Sequence, residues 1–465
     1  MIPNTLGFFA FPLYAKALGA SSYGIVALLE AYQAVLVTLL FMGMTTAFFV
    51  FYTHAHDKED QHKVFGVSAF FGGLILVPLG IISLFASPIS KFLLNDEAPS
   101  YFVSIYAFSV FSDYLMTIVN TYFRIKAKIH YLLFNGVLIS VIHHTLNFCF
   151  VVLWGGSIET FITLFLVVKS VSVGIAVFEM WRFNLLFIPS WVDFSLFRKM
   201  IRFGAPLILT GLTGWMLLVS DRFFINYYVE MADVGIYAVN YKFAMGLWIG
   251  IVQPFMTVWE PGFFKTLKEN VSNGYDQLKR DFTLYLGGIV TIYSAFILFI
   301  GDILKVIFGN SEYDNQNFLI YLLAASYFFM AIGEMWASVC RHHKTSNFAF
   351  WVTFSVVIIK VGLNFVLIPR YLLIGAALSS VIAEIVSQTI MAYFAVRLTS
   401  RRRLFFTLPN WILFSLFCLT EGLLYAYPTM SLMVKTSYFS LILLIIGGVL
   451  AKENKEKAYP STAIA

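Results

Sequence analysis

Apolar stretches long enough to cross a membrane follow one another along almost the whole chain. A hydrocarbon core of about 30 Å takes roughly 20 residues of helix to span. Runs of about that length fall at 2–18, 25–52, 64–86, 101–123, 131–154, 160–180, 204–228, 235–260, 282–300, 316–340, 348–368, 373–396, 411–427 and 437–451. These runs are too continuously apolar for the alternating strands of a barrel, and in lipid only a helix or a closed barrel satisfies its own backbone. The sequence therefore predicts an all-α, polytopic membrane protein with about 14 transmembrane helices. With 60% hydrophobic and 12% charged residues, the chain lacks the polar surface that a soluble domain of its 465 residues would carry.

The polar connections are short. The longest, near Trp181 to Phe203 and Phe263 to Asp281, have room for an amphipathic helix but not for a folded catalytic domain. A net charge of +6 invites comparison with a nucleic-acid surface, but no folded polar face exists to display it. The basic residues instead alternate by loop, with about 22 on one set of connections and about five on the other. That asymmetry orients both termini and the basic loops toward the cytoplasm. Cys149, Cys340 and Cys418 have no paired spacing, so neither a disulfide framework nor a metal site is expected. The first apolar run lacks a basic leader and a small-residue cleavage site, which predicts that it stays in the membrane.

Self-similarity at an offset of about 211 to 217 residues divides the chain in two. Ser22-Tyr23-Gly24-Ile25 opens the second run as Asp233-Val234-Gly235-Ile236 opens the eighth, and Ile89-Ser90-Lys91-Phe92 corresponds to Ile303-Leu304-Lys305-Val306. Arg124 closes the fourth run as Arg341 closes the tenth, and Leu146-Asn147-Phe148 recurs as Leu363-Asn364-Phe365. An even number of spans per repeat gives both halves the same orientation, so the expected architecture is two six-helix parallel-repeat lobes around a central cavity, plus two C-terminal helices. The expected boundaries are an N-lobe at 1–180, an inter-lobe linker at 181–203, a C-lobe at 204–400 and the last two helices with a basic tail at 401–465. By the same offset the first helix looks clipped by about seven residues. With Pro3 near its start, regular helix is expected from Asn4 onward.

Ionisable side chains near the middle of a bilayer cost about 2.5 to 3.5 kcal/mol even on lenient scales, so they mark a wet cavity or a partner. At 1.5 Å per residue, Lys169, Lys360, His143 and Glu384 lie about 13 to 18 Å into their spans. The repeat pairs His143 with Lys360 and Lys169 with Glu384, which places titratable groups at equivalent depth in each lobe. Mutual neutralisation of such groups between helices is the competing structural reading. Arg222 projects about 100° from Asp221 on its helix and is placed to meet an anion, whereas Asp221 and Lys242 read as an ion pair. Asp113, Glu334 and Glu30 are the candidates for proton coupling, with hydrogen bonds to nearby hydroxyls as the alternative. No catalytic residue, metal ligand or cofactor site is expected.

Several of these stretches resemble the polysaccharide-unit flippases of the Wzx type, in the superfamily that also holds multidrug efflux carriers and lipid II flippases. The resemblance rests on Leu18-Gly19-Ala20-Ser21-Ser22-Tyr23-Gly24, on Phe203-Gly204-Ala205-Pro206-Leu207 with Ser220-Asp221-Arg222-Phe223 and Val234-Gly235-Ile236-Tyr237, and on Leu363 to Tyr371 with Ile374-Gly375-Ala376-Ala377. It implies a bacterial inner-membrane carrier that turns polyprenyl-pyrophosphate-linked oligosaccharide units toward the periplasm by alternating access. Its implied surroundings are membrane lipid, a polysaccharide polymerase and a chain-length regulator, with no nucleic acid. A cationic cavity of this type would use Lys169, Lys360, Arg222 and protonated His143 for the pyrophosphate. A multidrug-type exporter of the same fold and a membrane glycan polymerase or ligase are the alternatives.

Overall fold

The computed structural model describes residues 2–183, 185, 192–269, 271–309, 313, 317–343, 346–399, 405–427 and 430–458. Lys344 and Arg401 to Arg403, part of the basic set used for orientation, lie outside the described residues. Among those described, every regular element is helical, and twelve helices are long and apolar enough to cross a membrane. One of the twelve, Phe350–Thr399, is in fact a helical hairpin, because Leu372 breaks it with φ 51° and ψ −130°. Splitting the hairpin there and adding the shorter apolar helix Leu6–Leu18 gives fourteen passes, as the sequence predicts.

In chain order the helices are α1 (Ile2–Leu18), α2 (Ala20–Phe41), α3 (Met44–His54), α4 (Lys58–Leu84), α5 (Ala86–Leu94), α6 (Tyr101–Ile125), α7 (Ile129–Asn147) and α8 (Ile158–Arg182). There follow α9 (Phe194–Tyr228), α10 (Met231–Leu247), α11 (Gln253–Glu269), α12 (Val271–Phe308), α13 (Asn317–His342), α14 (Ser346–Thr399), α15 (Leu408–Ala426) and α16 (Leu432–Ala458). Helix α1 is regular from Ile2 rather than from Asn4, since a proline in the first turn removes a donor that would have had no helical acceptor.

The starts follow local chemistry. Asp57 caps α4 by accepting from the Asp60 amide at 2.8 Å, and Asp193 caps α9 by accepting from the amides of Ser195 and Leu196 at 2.7 and 3.1 Å. That second cap begins α9 ten residues before Gly204, so part of the connection ahead of the seventh span is helix continuous with that span.

Two compact units emerge, residues 1–239 and 240–465. In the first, α6 lies against α2, α4 and α8, while α9 lies along α2 and α3. In the second, α13 packs on α14, and α12 supports both α15 and α16.

The repeat is visible in how helices break and cross. The second span of the chain is interrupted by Met42 and Gly43, both left-handed at φ 47° and 65°, which separates α2 from α3. The eighth span is interrupted by a π-helical stretch at Trp248–Val252 that separates α10 from α11. Adding the offset of 211 to Met42 gives Gln253, so the two breaks fall at equivalent places. Near the starts of these spans, the repeat-related glycines meet within the first unit. A Cβ on Gly24 would run into the Met231 carbonyl, and one on Gly235 would run into the Ala20 carbonyl. Since 20 and 24 become 231 and 235 under the same offset, the contact is reciprocal, as a two-fold relation requires.

Overpacking a site that has no room costs about 1 to 3 kcal/mol. Gly24→Val and Gly235→Val should each lower the thermal midpoint of the detergent-solubilised protein by several degrees. An unchanged midpoint in both variants would contradict the close crossing.

Candidate functional site

Several of the candidate residues gather into one cluster in each unit, half-buried in the first and buried in the second. In the first, Asp113 on α6 joins three helices through one carboxylate. It accepts from Lys169 Nζ of α8 at 2.5 Å on one oxygen and from Gln33 Nε2 of α2 at 2.6 Å on the other. The side chains of the pair are 21% and 32% exposed, so the site is shielded but not sealed. Lys169 Nζ also lies 5.1 Å from the Phe165 ring centre, a cation over an aromatic face. Phe165 in turn stacks on Tyr106 at 4.5 Å, and Ser112 donates to the Lys169 carbonyl at 3.0 Å, so α6 and α8 are fixed on both sides of the ion pair.

His143 lies within electrostatic reach of Lys169 and Glu30. Its ring is edge-on to Phe161 at 6.3 Å, and Asn147, one turn further along α7, lies 3.4 Å from its Nδ1. His144 faces a different neighbour: Tyr14 of α1 stacks on it, and the Tyr14 hydroxyl sits 3.1 Å from its Nδ1. The two adjacent histidines therefore serve different helices, as their separation of about 100° dictates.

Arg222 and Asp221 are almost fully buried, at 6% and 0% exposure. Arg222 donates to the Ala27 carbonyl of α2 at 3.2 Å, and Trp215, two turns earlier on α9, donates to the Ala31 carbonyl of the same helix at 2.9 Å. Asp221 accepts from the Tyr237 hydroxyl at 2.7 Å. These bonds tie α9 to its neighbours in the first unit. Lys242 lies on α10 in the second unit and is half-buried.

In the second unit the cluster spans both arms of α14. Lys360, 3% exposed, and Glu384, 9% exposed, lie within electrostatic reach of each other. Glu384 accepts from Gln388 Nε2 at 3.0 Å, and Asn364, one turn beyond Lys360, accepts from the Ser379 hydroxyl across the hairpin. Glu334 on α13 is also in electrostatic reach of Glu384, and its other side meets Arg341 at 3.4 Å. Arg341 pairs with Glu260 at 2.6 Å and with the Ser338 hydroxyl at 2.8 Å, which fastens the end of α13 to the middle of α11. Just past α13, His343 meets the Tyr275 hydroxyl at 3.2 Å, and burial, with the adjacent His342, holds its pKa below the usual histidine value.

The sequence singles out the charged members of these clusters but not the amides. Gln33 lies three residues after Glu30, and Gln388 four residues after Glu384. Both sit at helical neighbour spacing from an acid already in view, a signal that could have found them. Among the described residues, no group of three or more His, Cys, Asp or Glu could hold a metal ion.

Chemically, each cluster offers a lysine next to a carboxylate, a cation that a second anion could share. Fourteen apolar passes among the described residues, interrupted spans and a charged cluster in each unit describe an all-helical, membrane-spanning fold. Solved structures agree. The inward-closed form of the lipid II flippase MurJ superposes with a TM-score of 0.74 and 15% identity, covering 97% of each chain. An inward-facing multidrug resistance MATE family transporter gives 0.66 and 16%, covering 86% of this chain and 96% of that one. The MATE multidrug transporter DinF-BH gives 0.60 and 14%, covering 87% and 95%. No curated protein matches the sequence. Residues 1–267 match the family described as polysaccharide biosynthesis protein, and the chain belongs to that family.

If Asp113 and Lys169 hold each other, a double-mutant cycle with Asp113→Asn and Lys169→Met should show coupling of about 0.5 to 3 kcal/mol in thermal stability, the double variant losing less than the two singles combined. Strict additivity would show that the pair is an incidental contact.

Proposed function

We propose that this protein is a flippase for polyprenyl-pyrophosphate-linked oligosaccharide units, turning them from the cytoplasmic to the periplasmic leaflet of the bacterial inner membrane for surface polysaccharide synthesis by alternating access. The observation that supports it most is one intramembrane lysine facing a carboxylate in each repeat, half-buried Lys169 with Asp113 and buried Lys360 with Glu384. A pyrophosphate carries two phosphoryl groups and needs cations that it alone can reach in a low-dielectric setting. Membership of the polysaccharide biosynthesis family supports the sugar-linked cargo, and the likeness to a lipid II flippase over 97% of the chain supports a fold able to move a lipid carrier.

Lys169 and Lys360 carry the anion in this reading, and Asp113 and Glu384 hold them between substrates. His143 adds charge to the Lys169 side when protonated. Arg222, turned onto the α2 backbone, braces the helix beside them. The basic connections face the cytoplasm, which follows from their excess of Lys and Arg. The likeness to multidrug transporters favours one competing reading, export of a small organic cation. Such a cargo would be repelled by the lysines and attracted by the carboxylates.

Lys169→Ala and Lys360→Ala should each reduce surface polysaccharide by at least about tenfold, the loss expected from removing a charge-assisted bond of about 1.5 to 3 kcal/mol. Membrane levels of the protein should stay normal. Full polysaccharide in both variants, at normal protein level, would remove the lysines from the transport site.

A further inference from the structure

A second feature of the 240–465 unit adjoins the Lys360 and Glu384 cluster at Gln388. A cavity of about 1070 Å³ lies among α12, α13, the second arm of α14 and α15. Its walls are rings: Phe282, Trp336 and Phe405 pack on one another at 5.2 to 6.4 Å between centres, and Trp411 and Phe414 continue the surface along α15. Arg397 lines it as well, near the end of α14. Gln388 also lines it, nine residues and so about 13 Å deeper along the same helix. One end of the cavity is therefore cationic and its length is apolar.

Two polar atoms in that wall have no protein partner. The Trp336 indole Nε1 is a buried donor without an acceptor, and Asn410 Oδ1 is a buried acceptor without a donor, although the Asn410 amide nitrogen is spent on the Phe405 carbonyl at 2.8 Å. Asn410 is 4% exposed. Water alone does not suit a chamber that is so largely aromatic.

We propose that this cavity binds an anionic glycerophospholipid from the leaflet at the basic end of the helices, with its acyl chains among the rings and its phosphate at Arg397. The amphiphile is oriented by the wall itself, since among the described lining residues the charge is Arg397, near the end of α14. The chain ends then abut Gln388, whose amide holds Glu384. Gly333 of α13 makes the seat for Gln388, because a Cβ there would collide with its side chain. Lipid occupancy thus bears on the residue that steadies the buried acid, and the site joins membrane composition to the second charge cluster.

The test uses the full chain purified in detergent, with native mass spectrometry of phosphatidylglycerol and phosphatidylcholine of identical chains. The native protein should retain phosphatidylglycerol about fivefold more than phosphatidylcholine, the factor expected from one basic side chain facing an anionic headgroup. Arg397→Gln should bring that preference close to one while leaving chain binding intact, and Ala392→Trp should weaken both lipids by filling the cavity. Should Ala392→Trp not fold, phosphatidylglycerol with brominated chains supplies the same information in the native protein. It should quench tryptophan emission, and the quenching should fall in Trp336→Phe and Trp411→Phe. Equal binding of both lipids by the native protein, or quenching unaltered by both tryptophan changes, would overturn the proposal. Displacement of phosphatidylglycerol one for one by a polyprenyl phosphate would overturn it too, as the cavity would then belong to the transported lipid. Transport is not measured in any arm, so failure here leaves the proposed cargo untouched.

Discussion

A charge inside hydrocarbon has to be neutralised by something close by, and that requirement organises both halves of this protein. Asp113 draws Lys169 of α8 and Gln33 of α2 onto one carboxylate, so three spans are fixed relative to one another by a single acid. In the second unit, Glu384 takes Gln388 and stands within reach of Lys360 and Glu334. Apolar packing gives little discrimination between helices in lipid, because lipid tails are as apolar as leucine. Polar contacts of this sort therefore specify which helices sit together. The same contacts leave, in each half, a lysine facing a carboxylate.

The repeat explains why these clusters come in pairs. Duplicated six-helix segments place equivalent spans at equivalent depth, and the breaks at Met42 and at Trp248–Val252 keep that equivalence in irregular backbone. Interrupted spans expose backbone groups that a continuous helix would hide, and in carriers they occur where the protein lines a cavity or bends. The reciprocal contact of Gly24 and Gly235 has a different role, because it lets two helix starts approach at backbone distance. Sign is not conserved between the repeats: the sixth span supplies a lysine and the twelfth a glutamate, so each cluster balances its own charge.

Most of the fold was legible from hydrophobic length alone. Each span needs only about 20 apolar residues, and that signal is local. The hairpin at Leu372 reads as two spans in the sequence because Pro369 and Arg370 interrupt the run. Pairing was less legible. Depth along a helix put Lys169 well inside its span, but which carboxylate meets it depends on helix rotation, and nothing in the spacing of α6 and α8 fixes it. Arg222 illustrates the same limit: its angular separation from Asp221 was readable, whereas its bond to the Ala27 carbonyl depends on how α9 lies along α2. The aromatic cavity with Arg397 was invisible, since its walls come from four helices and phenylalanine is common in every span.

The central claim, that an intramembrane lysine in each half takes the pyrophosphate of a lipid-linked sugar, is tested most directly with purified protein in liposomes that contain a fluorescent polyprenyl-pyrophosphate oligosaccharide. Quenching from outside by a membrane-impermeant reductant reports the fraction of label turned to each leaflet. The account predicts rapid equilibration with the native protein and a slow rate, close to that of empty liposomes, with the Lys169→Ala, Lys360→Ala double variant. Equal rates for the native protein and that variant, or no acceleration by the native protein in liposomes where it does move a small organic cation, would contradict it.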